Sequence, residues 1–152
     1  MDFIKKYGVK LLAAVALISL LMPMGSISVG GESDGVNGMA VISDNLFCFL
    51  LILAPFAIIM ADYVDVMKKF RSLIQVGCAA IGVIMTFVGY SQIDTLGGLG
   101  SLASMASIKL ETSLGFGSIL GILAYGGVIA MVVLYQKDEL KANFDALKGE
   151  KK

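Results

Sequence analysis

The segment that most constrains the fold is an uncharged, largely apolar run from Ser72 to Gln92. An α-helix rises about 1.5 Å per residue, so about 20 residues cross the hydrocarbon layer of a bilayer, which is about 30 Å thick. The basic residues Lys68, Lys69 and Arg71 directly precede this run. Because basic residues collect on the cytoplasmic side of membrane helices, the segment is predicted to be a transmembrane helix that starts inside the cell.

Three other apolar segments extend this prediction to four spans, at residues 7–24, 45–64, 72–92 and 114–135. The composition agrees, because 57% of the residues are hydrophobic and only 16% are charged. Soluble domains are about half apolar and about a quarter charged. We therefore expect an all-α membrane protein, a four-transmembrane-helix bundle that forms one domain over residues 1–152. Residues 25–44 and 93–113 would be external loops, and residues 136–152 a cytoplasmic tail.

The distribution of basic residues predicts that both termini are cytoplasmic. Eleven of the twelve Lys and Arg residues fall in segments assigned to the inside, and only Lys109 falls outside. The reverse orientation would invert this bias. The residues expected to set the topology are Lys5, Lys6, Lys10, Lys68, Lys69 and Arg71. We expect the chain to be an integral membrane protein, located in a bacterial plasma membrane.

The first apolar segment has two interpretations. Its basic start, the run LLAAVALISLLM and the small residues Ser26 to Ser28 are compatible with a cleaved signal peptide over residues 1–28. A retained helix from about Tyr7 to Met24 is the alternative, with Lys10 reaching the inner surface. Both interpretations place the following residues outside, so the predicted topology is the same.

The first external loop is predicted to contain a small β-hairpin. Two β-compatible runs, SISV at 26–29 and MAVI at 39–42, flank a region rich in Gly, Ser and Asp that would form the turn. Two strands alone are marginal in water, so the hairpin should pack on the helix ends or on the second loop. In that second loop, ASMASIKLE is compatible with a short surface helix or an extended run.

Small residues mark the candidate helix-packing positions. They lie on the third and fourth segments, at Gly77, Gly82, Gly89, Gly117, Gly121, Gly126 and Gly127. Small side chains let helices approach closely in lipid, where the hydrophobic effect does not drive their association. Gly117 and Gly121 form a GxxxG motif, which we expect to act within one molecule. Gln75 and Thr86 are expected to make interhelical hydrogen bonds, and Pro55 to kink the second span.

The C-terminal tail is predicted to be an amphipathic helix that continues from the fourth span. Leu140, Phe144 and Leu147 fall at i, i+4 and i+7, which places them on one helix face. This face could lie on the inner membrane surface or on a partner, and the membrane surface is the preferred interpretation.

The residue types argue against catalysis. The chain has no His, and no charged residue lies deep within the four spans, where such residues usually mark transport or catalytic sites. Cys48 and Cys78 fall at different depths of the predicted bilayer, too far apart for a disulfide. We therefore expect a protein that is not an enzyme, with no cofactor, no metal and no nucleic-acid partner.

Several phrases of the chain resemble a known group. An apolar helix ending in Leu-Met-Pro-Met, the following SISVGGESDGVNGMAVI and the phrase SLGFGSIL at 113–120 resemble small uncharacterised bacterial tetraspan membrane proteins with a claudin-like plan. The resemblance implies four spans and a strand-containing first external loop. The chain lacks the Trp and the paired loop cysteines of claudins, so the resemblance does not extend to a barrier function.

The leading functional hypothesis is a non-catalytic membrane protein that acts through helix–helix and loop interactions. Its partners would be membrane lipid and either further copies of itself or another membrane protein, as a self-assembling or accessory subunit. One alternative is a homo-oligomeric pore, with Glu32, Asp34 and Asp44 concentrating cations at its mouth. The other alternative is an immunity-type or lipid-binding membrane protein.

Overall fold

The computed structural model describes residues 2–29, 32–44, 46–96 and 110–149, most of which are helical. In chain order the elements are α1 (Asp2–Ser19), β1 (Pro23–Val29), β2 (Glu32–Asn37), α2 (Gly38–Asp44), a 3₁₀ turn (Leu46–Phe49), α3 (Leu50–Met60), α4 (Asp65–Lys68), α5 (Arg71–Leu96), β3 (Leu110–Leu114), α6 (Phe116–Tyr135) and α7 (Lys137–Gly149).

Four of the helices form a bundle. Helix α1 packs against α3 and α6, and α5 packs against the same two helices. Their shared core is apolar and includes Val9, Ala13, Ile58, Tyr125 and Val128. A single apolar cluster between four helices is the usual basis of a helical bundle.

A three-stranded antiparallel sheet, in the order β2-β1-β3, lies at one end of the bundle. The predicted hairpin in the first loop is confirmed, since β1 pairs with β2 and Val29 lies opposite Glu32. The predicted second strand is wrong. The second strand is Glu32–Asn37, which lies in the region that was expected to form the turn. Residues 30 and 31, which separate the paired residues Val29 and Glu32, lie outside the described ranges.

The run MAVI belongs to helix α2 rather than to a strand. Asn37 supplies a helix cap, because its side-chain Oδ1 accepts a hydrogen bond from the backbone N–H of Ala40 at 2.9 Å. Val41 is fully buried in a second apolar cluster, together with Met24, Leu51 and Ile93. The cap and this burial together explain why a β-compatible run forms a helix.

The sheet is attached to the bundle through Met24. Its carbonyl oxygen accepts hydrogen bonds from the backbone N–H of Gly115 at 2.8 Å and from the hydroxyl of Ser118 at 2.7 Å. Strand β3 was not predicted specifically. Its first residues, Leu110 and Glu111, are the last two of the run ASMASIKLE, for which a surface helix and an extended run were both open. The rest of that run, like Lys109, lies outside the described residues.

Several predicted helix boundaries differ from the structure. The second predicted span, residues 45–64, is a 3₁₀ turn at Leu46–Phe49 followed by α3, which ends at Met60. Helix α1 ends at Ser19 rather than near Met24, because Pro23 and Met24 belong to β1. Helix α6 begins at Phe116 rather than at Leu114, which pairs with Gly25 in the sheet. The continuous helix expected from the fourth span into the tail is interrupted at Gln136, which separates α6 from α7.

Within the part of the chain that the structure describes, two helices are long and apolar enough to cross a membrane. They cover Arg71–Ser91, with 21 residues, and Phe116–Tyr135, with 20 residues. The apolar helical stretches Tyr7–Ser19 and Leu46–Met60 are shorter. The length and composition of these two helices are therefore compatible with association with a membrane.

Candidate functional site

Gly82 lies where the Tyr125 ring of α6 packs on α5. A Cβ atom built at this position would come within 2.5 Å of the Tyr125 ring. Only a residue without a side chain leaves room for this buried ring, which belongs to the core between the helices. Gly82 is therefore a packing position inside the molecule.

The GxxxG motif contacts the end of α1. A Cβ at Gly117 would lie 2.6 Å from the carbonyl oxygen of Ser19 and 2.8 Å from that of Met22. A Cβ at Gly121 would lie 3.1 Å from the Ser19 hydroxyl oxygen. The motif thus faces another helix of the same chain, as its predicted use within one molecule requires.

The other predicted packing glycines divide into two groups. Gly89 lies under Val41 of α2 and Gly127 lies against Leu12 of α1, so both are covered within the molecule. At Gly77 and Gly126 a Cβ would meet no other atom of the described residues within 4 Å. These two glycines are exposed on the outer faces of α5 and α6.

Pro55 lies inside α3 and is buried. It has no N–H, so the carbonyl oxygen of Leu51, four residues earlier, lacks its usual helical donor. The Tyr125 hydroxyl donates a hydrogen bond to this oxygen at 3.1 Å. The predicted kink at Pro55 stays a prediction, whereas its unpaired carbonyl is satisfied by a side chain from another helix.

A polar cluster at the end of the bundle opposite the sheet is centred on Asp62. Its carboxylate oxygens lie 3.1 Å from Lys10 Nζ and 3.4 Å from an Arg71 guanidinium nitrogen. Gln75 Nε2 donates a long hydrogen bond of 3.5 Å to the same carboxylate. The Asp62 side chain is 15% exposed, so this carboxylate is held between two cations with little water around it.

Arg71 extends the cluster to α7. Its Nη2 donates to Glu139 Oε2 at 2.9 Å. One residue further, the buried hydroxyl of Ser72 accepts a hydrogen bond from Asn143 Nδ2 at 2.7 Å. Two neighbouring residues of α5 therefore hold the C-terminal helix by its polar side chains.

The remaining predicted topology residues lie at or near this end. Lys68 forms an exposed ion pair with Asp65 at 2.6 Å, and this hydrogen bond and charge hold the pKa of Asp65 below its ordinary value. Lys69 Nζ lies 5.3 Å from the centre of the Phe70 ring. Lys5 and Lys6 belong to α1, but their side chains are outside what the structure describes.

The two polar residues of the third segment behave differently. Gln75 donates to Asp62, which lies in the turn after α3, so this hydrogen bond joins a helix to a turn and not two helices as predicted. The prediction for Thr86 is wrong, because its hydroxyl donates to the Gly82 carbonyl oxygen of its own helix at 2.8 Å. A threonine buried on a helix commonly satisfies its hydroxyl this way.

The outer surface of the bundle is strongly apolar. Of the two long apolar helices, only 33% and 39% of the residues are buried. Many of their exposed side chains, and many of those of α1 and α3, are large and hydrophobic; they include Leu11, Ile18, Leu53, Phe56, Ile84, Phe87, Ile119, Leu123 and Leu134. A helix that is apolar on all sides is typical of a membrane span rather than of a soluble surface helix.

Two of the apolar grooves on the described surface lie along α3. One, of about 220 Å³, lies between α3 and α5 and is lined by residues that include Leu53, Ala57, Cys78 and Ile81. The other, of about 360 Å³, is lined by Leu46, Phe47, Phe49, Leu50 and Leu53. Among the described residues no three His, Cys, Asp or Glu side chains come together as a metal site, and Cys48 and Cys78 are both free.

Sequence reasoning missed three functional features of this arrangement. Asp62 was not among the predicted site residues, yet it is the centre of the polar cluster. Neither the role of Tyr125 nor the contact of Asn143 with Ser72 was expected. One sequence signal was available, because a proline inside a helix removes the usual donor of the carbonyl four residues earlier.

No protein-family model matches this chain, and neither a curated protein nor a solved structure matches it, so its resemblance to claudin-like tetraspan proteins stays a prediction.

Proposed function

We propose that this chain is a four-helix integral membrane protein that acts without catalysis, as a self-assembling or accessory subunit of a membrane complex. The observation that carries the proposal is the apolar exposure of the bundle. Leu53 and Phe56 of α3, and Leu123 of α6, leave about half or more of their surface uncovered. In water such a continuous apolar surface would drive aggregation, whereas lipid covers it without cost.

The lengths of the helices are compatible with four spans. Helices of 20 and 21 residues reach about 30 Å, the thickness of the hydrocarbon layer. The apolar stretches of α1 and α3 are shorter, but both pack along the long helices within the same bundle. Short spans are accommodated by local thinning of the bilayer and by polar side chains that reach its surface, as Lys10 does towards Asp62.

The packing of α1 favours the retained helix over the signal peptide. Val9, Ala13 and Ala16 are buried in the shared core. Lys10 belongs to the polar cluster, and the close approach at Gly117 requires the end of α1. Removal of this helix would expose one side of the core.

The charge distribution supports the N-in/C-in orientation. Lys10, Lys68 and Arg71 lie at the end of the bundle that also carries Asp62, opposite the sheet. Basic residues favour the cytoplasmic side, so the sheet would project outside the cell. Its strand β2 carries the exposed Asp34, and the loop around it has no basic residue.

The two uncovered glycines support an interaction role. Gly77 and Gly126 lie on outward faces where another helix could approach closely. The core of the bundle is filled by side chains such as Ile58, Tyr125 and Val128, so a conducting pathway would have to form between copies. Assembly with other membrane helices is therefore the favoured function.

Labelling of single cysteines tests the orientation. In a chain with Cys48→Ser and Cys78→Ser, we expect Asp34→Cys to react with a membrane-impermeant maleimide on intact cells. Lys141→Cys, which is also exposed and lies on α7, should react only after the cells are permeabilised. The opposite pattern would overturn the proposed topology.

Crosslinking in intact cells and native mass spectrometry of the solubilised protein test the interaction role. We expect either a homo-oligomer or a complex with another membrane protein. A strict monomer that captures no partner in cells would contradict the proposal. Ion conductance by the reconstituted protein in planar bilayers would instead favour the pore.

A further inference from the structure

The rotation of α7 about its own axis is set by two polar contacts. Asn143 and Glu139 are four residues apart and therefore share one helix face. Asn143 is 6% exposed and donates to the fully buried Ser72, while Glu139 accepts from Arg71. The helix thus turns a polar face, not its apolar face, towards the bundle.

Phe144 is consequently left at the surface. Each residue turns a helix by about 100°, so Phe144 points well away from Asn143. Its side chain is 48% exposed. A large aromatic ring is therefore held half-uncovered on a helix whose orientation is fixed by buried hydrogen bonds.

A row of lysines lies directly beside this ring. Lys137, Lys141 and Lys148 fall within an arc of about 40°, next to Phe144 on the side away from the bundle. All three are exposed, and none lies within 4 Å of a carboxylate oxygen of the described residues. The exposed acidic residues Asp138 and Asp145 follow beyond them, on the side farther from the ring.

Helix α7 also begins where the apolar surface of the bundle ends. Leu134, in the last turn of α6, is 72% exposed, and α7 starts after the single residue Gln136. If α6 crosses the bilayer, α7 starts at the level of the lipid headgroups. An interfacial helix with an aromatic residue on one side and lysines beside it fits that level.

We propose that α7 is an interfacial helix, clamped to the bundle by Arg71 and Ser72, that binds acidic phospholipids. Phe144 enters the boundary between acyl chains and headgroups. Lys137, Lys141 and Lys148 contact the negatively charged headgroups, and Asp138 and Asp145 face water. This inference rests on the proposed membrane embedding, and its test separates the two.

Tryptophan fluorescence tests the depth of α7, because the chain contains no natural Trp. Three single-Trp variants of the full chain, Phe144→Trp, Ala142→Trp and Leu123→Trp, are reconstituted in nanodiscs with and without brominated phospholipid. Ala142 is exposed on the side of α7 opposite Phe144 and is the matched control. Leu123, exposed on α6, reports the embedding of the bundle itself.

We expect Leu123→Trp to be quenched strongly, and Phe144→Trp about threefold more than Ala142→Trp, since interfacial helices bury their apolar face about 5–10 Å deep. Equal quenching at 142 and 144, with Leu123→Trp quenched, would overturn the interfacial helix and leave the embedding intact. An unquenched Leu123→Trp would overturn the embedding, and the inference with it.

The lipid charge is tested in the Phe144→Trp protein. Quenching should rise about twofold when phosphatidylglycerol replaces part of the phosphatidylcholine, because lysines near a negative surface are attracted to it. Adding Lys137→Gln, Lys141→Gln and Lys148→Gln should abolish that rise, whereas Asp138→Asn with Asp145→Asn should not. Quenching that is equal in both lipid mixtures would overturn the assignment to acidic headgroups.

Discussion

The hydroxyl group of Tyr125 donates a hydrogen bond to the carbonyl oxygen of Leu51, at a distance of 3.1 Å. Leu51 is the residue whose helical donor is missing because Pro55 has no N–H. The ring of Tyr125 lies over Gly82, which has no side chain to obstruct it. One residue of α6 thus connects α3 and α5 at the centre of the bundle, and the polar group that Pro55 leaves unpaired is satisfied there.

Removal of the hydroxyl by Tyr125→Phe should lower the free energy of unfolding by about 1 kcal/mol, the usual net value of one hydrogen bond. The loss can be measured by denaturant titration of the protein in detergent micelles. In a Pro55→Ala background the same change should cost clearly less, because residue 55 then donates its own N–H to Leu51. An equal cost in both backgrounds would show that the two residues are not coupled.

Gly82→Ala should destabilise the bundle by about 1–3 kcal/mol, because the added methyl group overlaps the Tyr125 ring and the helices must move apart. Gly77→Ala, on the same helix, is the matched control, since its methyl group would meet no described atom. We expect the thermal midpoint in detergent to fall for Gly82→Ala and to stay level or rise for Gly77→Ala. Similar losses at the two positions would contradict the described packing of α5.

Gly117→Ala should be more damaging than Gly126→Ala, on the same helix. At Gly117 the new methyl group would meet the backbone carbonyls of Ser19 and Met22, which cannot rotate away as a side chain can. At Gly126 it would point into open space. The yield of folded protein and the unfolding midpoint should fall for Gly117→Ala alone. A fall only for Gly126→Ala would indicate that the outward face of α6, which carries Gly126, is the more important contact.

Asp62→Asn should cost about 2 kcal/mol, within the usual range for hydrogen bonds to charged groups, because Lys10 and Arg71 both lose their shared anion. Asp65→Asn is the control, since this carboxylate is 91% exposed and its ion pair with Lys68 is solvated. We expect an unchanged unfolding midpoint for Asp65→Asn in 150 mM salt, about a physiological level. Equal effects of the two changes would show that the Asp62 cluster is solvated as well.

Asn143→Ala should release α7 from the bundle, because Ser72 is then left buried without its partner. Hydrogen exchange of the α7 amides should accelerate, whereas exchange in α6 should not change. Ala142→Ser, at an exposed neighbouring position, is the control and should leave the exchange of α7 as it is. Unchanged exchange in Asn143→Ala would mean that Arg71 and Glu139 suffice to hold the helix.

The C-terminal helix shows that its helical structure could be predicted from the sequence, whereas the face that contacts the bundle could not. The spacing of Leu140 and Phe144 correctly indicated a helix, which the structure places at Lys137–Gly149. It did not indicate that Asn143 and Glu139 would face the bundle. Helical periodicity is a property of neighbouring residues, whereas the face that docks depends on which polar groups another segment presents.

The sequence by itself determined the long apolar helices, the presence of a hairpin in the first loop and the placement of charge. Uncharged runs such as Ser72–Gln92 form helices because their backbone groups are satisfied locally, and basic residues cluster outside those runs. Only the tertiary structure decided that MAVI is helical, that β3 joins the sheet and that Asp62 lies between Lys10 and Arg71. Each of these depends on partners distant in the chain, and no local pattern specifies which distant groups will meet.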